Sequence, residues 1–456
     1  MLKVTIAEPI PSLNKGEAAI LRGIQEALKV CGDVKLTLFS PHEWIDNDRK
    51  RYGTEINLAA GLDIWGAANA YSDNPVHHGR MYYLLLLMKF LAFSLATRIS
   101  KKLAGLLIKD DFLQSLADSD LIIAGHDGML SYDHFWIVLA GKLMNKPVAL
   151  YGGGNDFNGR IPSLRNRMLL QSAIRNAIIC TVRDENTRNS LLANDIPPGK
   201  VHLFPDPAVL LKPCRDERVH EILKKERIPD RPDKPLYGLI PVIGGIVYEK
   251  SFSSEKDAGR KHELRIKLWV DTILHLLDTT DAHLVLIPHC IGPGRVFDDR
   301  RMMQDIYRAI PRDIDRVTLI AKEYSEGEYK GLMKRCAFVL GERAHALIGA
   351  VSVGTPCIAL SVKEDIRMHN IISRMFKRKV INLNNPDVEG LKKDLTRGWK
   401  QRKAIAAEMA VEAVRIQKEA LRSAELLKES IEQYYAKAAR STNGVRVAAS
   451  KQAGEL

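Results

Sequence analysis

An α/β protein of two doubly wound parallel sheets facing a cleft, with helices at the C-terminus, is what the sequence predicts. Three observations carry this. Short, continuously apolar runs alternate with helical patterns, as βαβ units do. The alternation breaks once, at a charged, proline-rich stretch over residues 227–235 (RIPDRPDKP), and then restarts. The chain of 456 residues is also too long for one ordinary core.

In the first half, strands are expected at Val4–Glu8, Lys35–Ser40, Leu121–Gly125, Val148–Gly152, Ile178–Arg183 and His202–Phe204. Helices are expected at Glu17–Val30, His134–Met144, Ser163–Asn176 and Glu185–Ala193. The strands lack polar alternation, which suits a parallel sheet covered on both faces. After the linker, strands are read at Leu236–Ile243, Leu284–Ile287, Val317–Ile320, Phe338–Leu340 and Cys357–Leu360. Helices fall at Lys261–Leu277, Asp299–Ala309, Tyr329–Arg335 and Ala344–Val353. The expected division is an N-terminal Rossmann-like domain over 1–226, a second over 236–386 and C-terminal helices over 387–440. The tail over 441–456 carries few apolar anchors and is expected to fray. Ligands of such sheets bind beyond the carboxyl ends of the strands, so residues just after strands are the functional candidates.

Hydrophobic residues make up 46% of the chain and charged residues 27%, a balance that excludes a disordered, collagen-like or disulfide-scaffold protein. The formal net charge of +13 points to anionic partners: phosphate ligands, nucleic acid or a lipid surface. No block pairs aromatic with basic residues as RNA-recognition modules do, so nucleic acid is not expected. The six cysteines form no C-x-x-C pair and most sit in or beside apolar runs, as small buried hydrophobes in a reducing compartment. No apolar signal region precedes the first strand. The expected location is the cytoplasm, with a peripheral place at the inner membrane face as an option.

That option comes from Met81–Thr97 (MYYLLLLMKFLAFSLAT), nearly all apolar and interrupted by Lys89. A central lysine argues against a simple membrane span. Beyond it, Arg98, Lys102 and Lys109 fall on nearly one face of a continuous helix. The favoured reading is a buried helix with a basic exposed end. The alternative is a helix over 81–109 docking on an anionic membrane.

Several strand ends carry candidate chemistry. Asn14 and Gly16 lie in a turn (SLNKGEA) that opens the first helix, whose N-terminus offers free N–H groups. Simple helix capping explains them equally well. Gly125-His126-Asp127-Gly128 and Tyr151-Gly152-Gly153-Gly154-Asn155 each follow a strand. There His126 and Asp127 could orient a sugar hydroxyl, and Gly153 and Asn155 could line the cleft. Arg183 ends a strand, where its guanidinium suits a carboxylate or phosphate. An ion pair with Asp184 or Asp206 is the competing role. His289 and Arg295 flank a Gly-Pro-Gly loop able to hold an anion. Asp298 and Asp299, which follow, read as a helix cap.

The strongest constellation is Gly341-Glu342-Arg343-Ala344-His345-Ala346 at a strand-to-helix junction, with Lys363 at the adjacent strand end. It combines a helix N-terminus, cations and an ionisable acid–base. No H-E-x-x-H motif is present, no D-x-D triplet reads convincingly as a metal site, and no metal or cofactor is expected.

Taken in order, S-L-N-K-G-E-A-A-I, Tyr151-Gly-Gly-Gly, Thr181-Val-Arg-Asp-Glu, Pro205-Asp-Pro-Ala and G-E-R-A-H-A-L-I-G-A…G-T-P-C-I-A-L-S-V-K resemble the polysaccharide pyruvyl transferases. The resemblance runs from Leu2 to about Leu383. It implies a fold similar to the GT-B glycosyltransferases, with the acceptor on the N-terminal side and the donor on the C-terminal side. It implies phosphoenolpyruvate as donor and co-substrate. The product would be a pyruvate ketal on a surface polysaccharide or its lipid-linked precursor. Carried onto this sequence, it makes His345 the general acid and places Arg183, Arg343 and the Ala344 backbone on the donor. Lys363 joins them by its position. Two alternatives accompany this reading: a GT-B glycosyltransferase using a nucleotide sugar, and a non-catalytic family member.

Overall fold

The computed structural model describes residues 1–63, 79–125, 130–155 and 159–452, without the side chains of residue 296 and of 441–452. Its first sheet contains β1 (Leu2–Ile6), β2 (Val34–Ser40), β3 (Asn57–Ala60), β4 (Leu121–Ala124), β5 (Val148–Gly153), β6 (Ile179–Val182) and β7 (His202–Leu203). The second contains β8 (Leu236–Ile240), β9 (His283–Leu286), β10 (Val317–Leu319), β11 (Cys336–Gly341), β12 (Cys357–Ser361) and β13 (Val380–Asn382). The strand orders are β3-β2-β1-β4-β5-β6-β7 and β10-β9-β8-β11-β12-β13. Each pairing of neighbours is parallel. The central strands β4 (LIIA) and β8 (LYGLI) are wholly buried, as continuous apolar runs covered on both faces must be. The order in which strands are added reverses between β1 and β4 in one sheet and between β8 and β11 in the other. Crevices open beside such reversals.

Two edge strands, β3 and β13, were not foreseen. Both are short, and their apolar runs, Leu-Ala-Ala and Val-Ile, are cut off by Asn57 and Asn382. The halves are not separated at the proline-rich stretch alone. The helix Asp216–Lys225, assigned from sequence to the first half, packs on the helix Glu326–Arg335 of the second, with Arg218 on Glu328 at 2.6 Å. The buried Lys330 ammonium donates to the carbonyls of Val209 and Leu211 at 3.1 and 2.5 Å, and burial pushes its pKa down to about 7. One apolar cluster runs through both halves, joining Ile20 and Ile24 to Leu347 and Ile348.

The C-terminal helices are one helix, Val388–Gln452. It continues through the segment expected to fray; residues 453–456 lie outside the described residues. It crosses from the second half back over the first. Gln417 donates to the Ser352 carbonyl, the Tyr151 hydroxyl meets Ser423, and the Tyr435 hydroxyl donates to the Asp120 carbonyl.

The buried-helix reading of 81–109 requires correction. The helix Arg80–Ile99 buries only one side, Leu86, Phe90, Phe93, Ser94 and Thr97, and leaves Met81, Leu84, Leu85, Met88, Leu95 and Ile99 exposed. The run is apolar on every side, but the first half covers only one of them, with the helices at 111–118 and 134–143. Nor is the helix continuous. Ser100 is extended and its side chain caps a new helix, Lys101–Leu107, so Arg98 and Lys102 do not share a helical face.

Candidate active site

The residues after β1, β8, β9, β11 and β12 converge on one cavity. Its walls include Asn14, Gly16, His289, Arg343, Ala344 and His345. Five of the sequence candidates, Asn14, Gly16, His289, Arg343 and His345, are thus brought together with Ala344 at the second sheet's reversal point.

The turn after β1 is fastened to the loop after β9. Lys15 N–H donates to the His289 carbonyl at 3.1 Å, and Ile291 N–H to the Leu13 carbonyl at 3.0 Å. Asn14 caps the helix Lys15–Leu28 by accepting from Gly16 N–H, and its amide donates to Glu17 at 2.7 Å. Gly16 leaves room for the histidine: a Cβ there would lie 2.8 Å from the His345 Cβ. The close approach joins two motifs that the sequence shows only separately.

β11 ends at Gly341, and the helix Ala344–Ser352 begins with no side-chain cap. Its first N–H groups are therefore available to an anion in the cavity. Glu342, also on the cavity wall, is already engaged. It is buried against Arg265 at 2.7 Å and accepts from Val242 N–H, pinning the end of β11. Arg343 is 20% exposed. Its Nε and Nη2 donate to the two oxygens of Asp299 at 3.0 and 2.6 Å. Burial works against this guanidinium's charge, but Asp299 outweighs it and holds its pKa above the ordinary arginine value. Nη1 makes no hydrogen bond to the described residues and is left for a ligand. Asp299 is itself fixed by Cys290 N–H at 3.0 Å. The expected Asp298–Asp299 cap thus divides: Asp298 caps the helix Asp299–Ala309, and Asp299 orients the cavity arginine.

Behind His345 lies a buried ion pair. Arg183 is 1% exposed, and its Nη1 is 2.7 Å from Asp206 Oδ2 and 3.3 Å from His345 Nε2. His345 Nε2 is 3.6 Å from the same Asp206 oxygen. Burial opposes the Asp206 charge, but Arg183 and then His345 overcome it and hold the carboxyl far below the usual range. Of the two partners weighed for Arg183, Asp206 is the one the fold supplies. Arg183 stands behind the histidine and does not line the cavity. With Nε2 facing this pair, Nδ1 is the ring nitrogen left to address a substrate.

His289 is buried on the cavity wall, and burial, then His345, Arg343 and Lys15, push its pKa down to about 3. The folded protein keeps it neutral where an unfolded chain, with a histidine pKa near ~6.5, takes up a proton. Stability from this group is complete above that value and is lost as pH falls from about 6.5 toward 3. Urea unfolding across this range should show the loss, and His289→Gln should flatten it; an unchanged slope would disprove the assignment.

Other candidates lie elsewhere. Lys363 and Arg295 are exposed and off the cavity, and Arg367 and Asp365 occupy the wall where Lys363 was expected. Gly153 packs against the Gly125 carbonyl, and Asn155 N–H donates to Thr187; both serve the first sheet's loops. His126 and Asp127 lie outside the described residues. Sequence reasoning missed Asp365, Arg367 and the Gly244–Gly245 pair on the wall, and the hold of Asp299 on Arg343. The glycine pair after β8 was a usable signal; the isolated charges carried none. Among the described residues no three His, Cys, Asp or Glu side chains gather to hold a metal ion.

Two doubly wound sheets, a returning C-terminal helix and a cleft between sheet ends define a protein of the GT-B fold. The same fold appears in a protein of Listeria monocytogenes described as a UDP-N-acetylglucosamine 2-epimerase (TM-score 0.56, 14% identity, 96% of this chain and 97% of that one). It also appears in the UDP-GlcNAc 2-epimerase of Neisseria meningitidis bound to UDP-GlcNAc (0.52, 15%, 95% and 100%). The HepE protein of Anabaena in complex with UDP and glucose is similar as well (0.51, 11%, 95% and 100%). No curated protein matches the sequence. The family model for polysaccharide pyruvyl transferase matches residues 14–364, and the chain belongs to that family. Membership places it among the transferases of polysaccharide biosynthesis.

Proposed function

We propose that this protein transfers the pyruvyl group of phosphoenolpyruvate to two hydroxyls of a sugar, forming a ketal and releasing phosphate. The sugar belongs to a cell-surface polysaccharide or its lipid-linked precursor. The observation that carries the reading is one cavity holding an uncapped helix N-terminus, the free Nη1 of Arg343 and the ring of His345. An anion carrying both carboxylate and phosphate matches those donors.

In this reading the N–H groups at Ala344 and Arg343 Nη1 hold the anionic groups of the donor. His345 passes its Nδ1 proton to the methylene carbon, and the neighbouring carbon becomes electrophilic. A sugar hydroxyl bonds to that carbon and gives its proton to the now deprotonated Nδ1 of His345. The carbon–oxygen bond to phosphate then breaks, the second hydroxyl closes the ring, and its proton leaves with phosphate or solvent. Asp299 and the Arg183–Asp206 pair are positioning residues: one aims the arginine, the other the histidine. Arg183 thereby supports the donor site from behind.

Thermal unfolding with phosphoenolpyruvate and with a panel of nucleotide sugars tests the donor. Saturation at a hundred times the dissociation constant should add about 2.7 kcal/mol. The shift should appear with phosphoenolpyruvate and vanish in Arg343→Ala. A shift with a nucleotide sugar alone would replace this reading with glycosyl transfer.

A further inference from the structure

We propose that the helix pair Arg80–Ile99 and Lys101–Leu107 seats the protein on a bilayer surface rich in anionic lipid. This goes beyond the transfer reaction and does not depend on it. At about 100° per residue, Met81, Leu84, Leu85, Met88, Leu95 and Ile99 fall within an arc of about 100°. All six are exposed. The buried residues Leu86, Phe90 and Phe93 lie on the opposite side. The helix therefore has two apolar faces, and the described residues cover only one.

Charge identifies what covers the other. Lys89 flanks the outward stripe on one side, and Arg80 and Arg98 flank it on the other; all three are exposed. From Arg80 to Lys109 the chain carries six basic residues and no acidic one. The second helix extends the surface with Leu103, Leu106 and Leu107, exposed beside Lys101 and Lys102. An apolar stripe at the acyl boundary, with cations reaching phosphate groups on both flanks, is the arrangement of a helix lying in the membrane plane. By length and composition the first helix could cross a membrane. Its inner face, however, is locked into the protein core, so it lies along the surface. A second copy is a poor occupant. A two-fold contact would set this cationic patch against itself, and interface cores are poor in lysine.

The test is co-sedimentation of the full chain, without donor or acceptor, with phosphatidylglycerol–phosphatidylcholine vesicles and with pure phosphatidylcholine vesicles. Wild type should bind the anionic vesicles and lose binding as salt is raised. Replacing Lys89, Arg98 and Lys102 by Gln should weaken binding on the order of 100-fold, since each cation contributes about fivefold near such a surface. Leu84→Ser, Met88→Ser and Leu95→Ser together should abolish it. Both variants should unfold at the wild-type temperature, because the altered side chains are exposed. Absence of wild-type binding at low salt would overturn the proposal. So would equal binding by both variants together with a dimer, seen by sedimentation velocity, that the serine variant dissolves.

Discussion

Replacing His345 by Asn should lower pyruvyl transfer by roughly 10²–10⁴-fold, the contribution of a positioned proton donor. Phosphoenolpyruvate affinity should change little. Asparagine puts an amide near the place of Nδ1, so a hydrogen bond survives, but it has no transferable proton. Helix Ala344–Ser352 stays uncapped and Arg343 keeps its clamp on Asp299. Single-turnover rates and the donor's dissociation constant, measured separately, decide the matter. A variant that loses affinity and rate by the same factor would make His345 a binding group and leave the proton without a source.

Asp206→Ala should cost about 3–5 kcal/mol of folding stability, because it leaves the Arg183 guanidinium buried without its counter-charge. Adding Arg183→Met should recover much of the loss, since an apolar side chain tolerates the same burial. The pH dependence has a definite sign. The Asp206 carboxyl is held below the ordinary aspartate value of about 3.9. Its stabilisation is therefore complete above that value and is lost only as pH falls through its own lower value. The deficit in urea unfolding should be constant from neutral pH down to about pH 5. A deficit below about 1 kcal/mol would mean that the pair is replaceable by solvent or by His345.

The cavity-lining end of the second half was legible because it is local. Gly341 to Ala346 is one strand-to-helix junction, and a helix N-terminus beside arginine and histidine announces an anion site. The same holds for Asn14 and Gly16 at the end of β1. Lys363 shows where locality misleads. It stands at the correct strand end but is exposed to solvent, while Arg367, at the start of the helix that follows, reaches the wall. Asp299 looked like a cap because aspartates before helices usually are. Its neighbour took that role, and a partner 44 residues away claimed Asp299.

The continuous apolar strands, the two-sheet architecture, the family and the strand-to-helix junction that carries Arg343 and His345 were determined by the sequence itself. Each is encoded in residues close together in the chain. The contact of Arg183 with His345 across 162 residues, the room that Gly16 leaves for the histidine, and the return of the last helix over the first half were decided by tertiary structure alone. So was the outward face of Arg80–Ile99. A run that is apolar on all sides has no periodicity to say which side meets the core, and only the packing of its neighbours leaves one face bare.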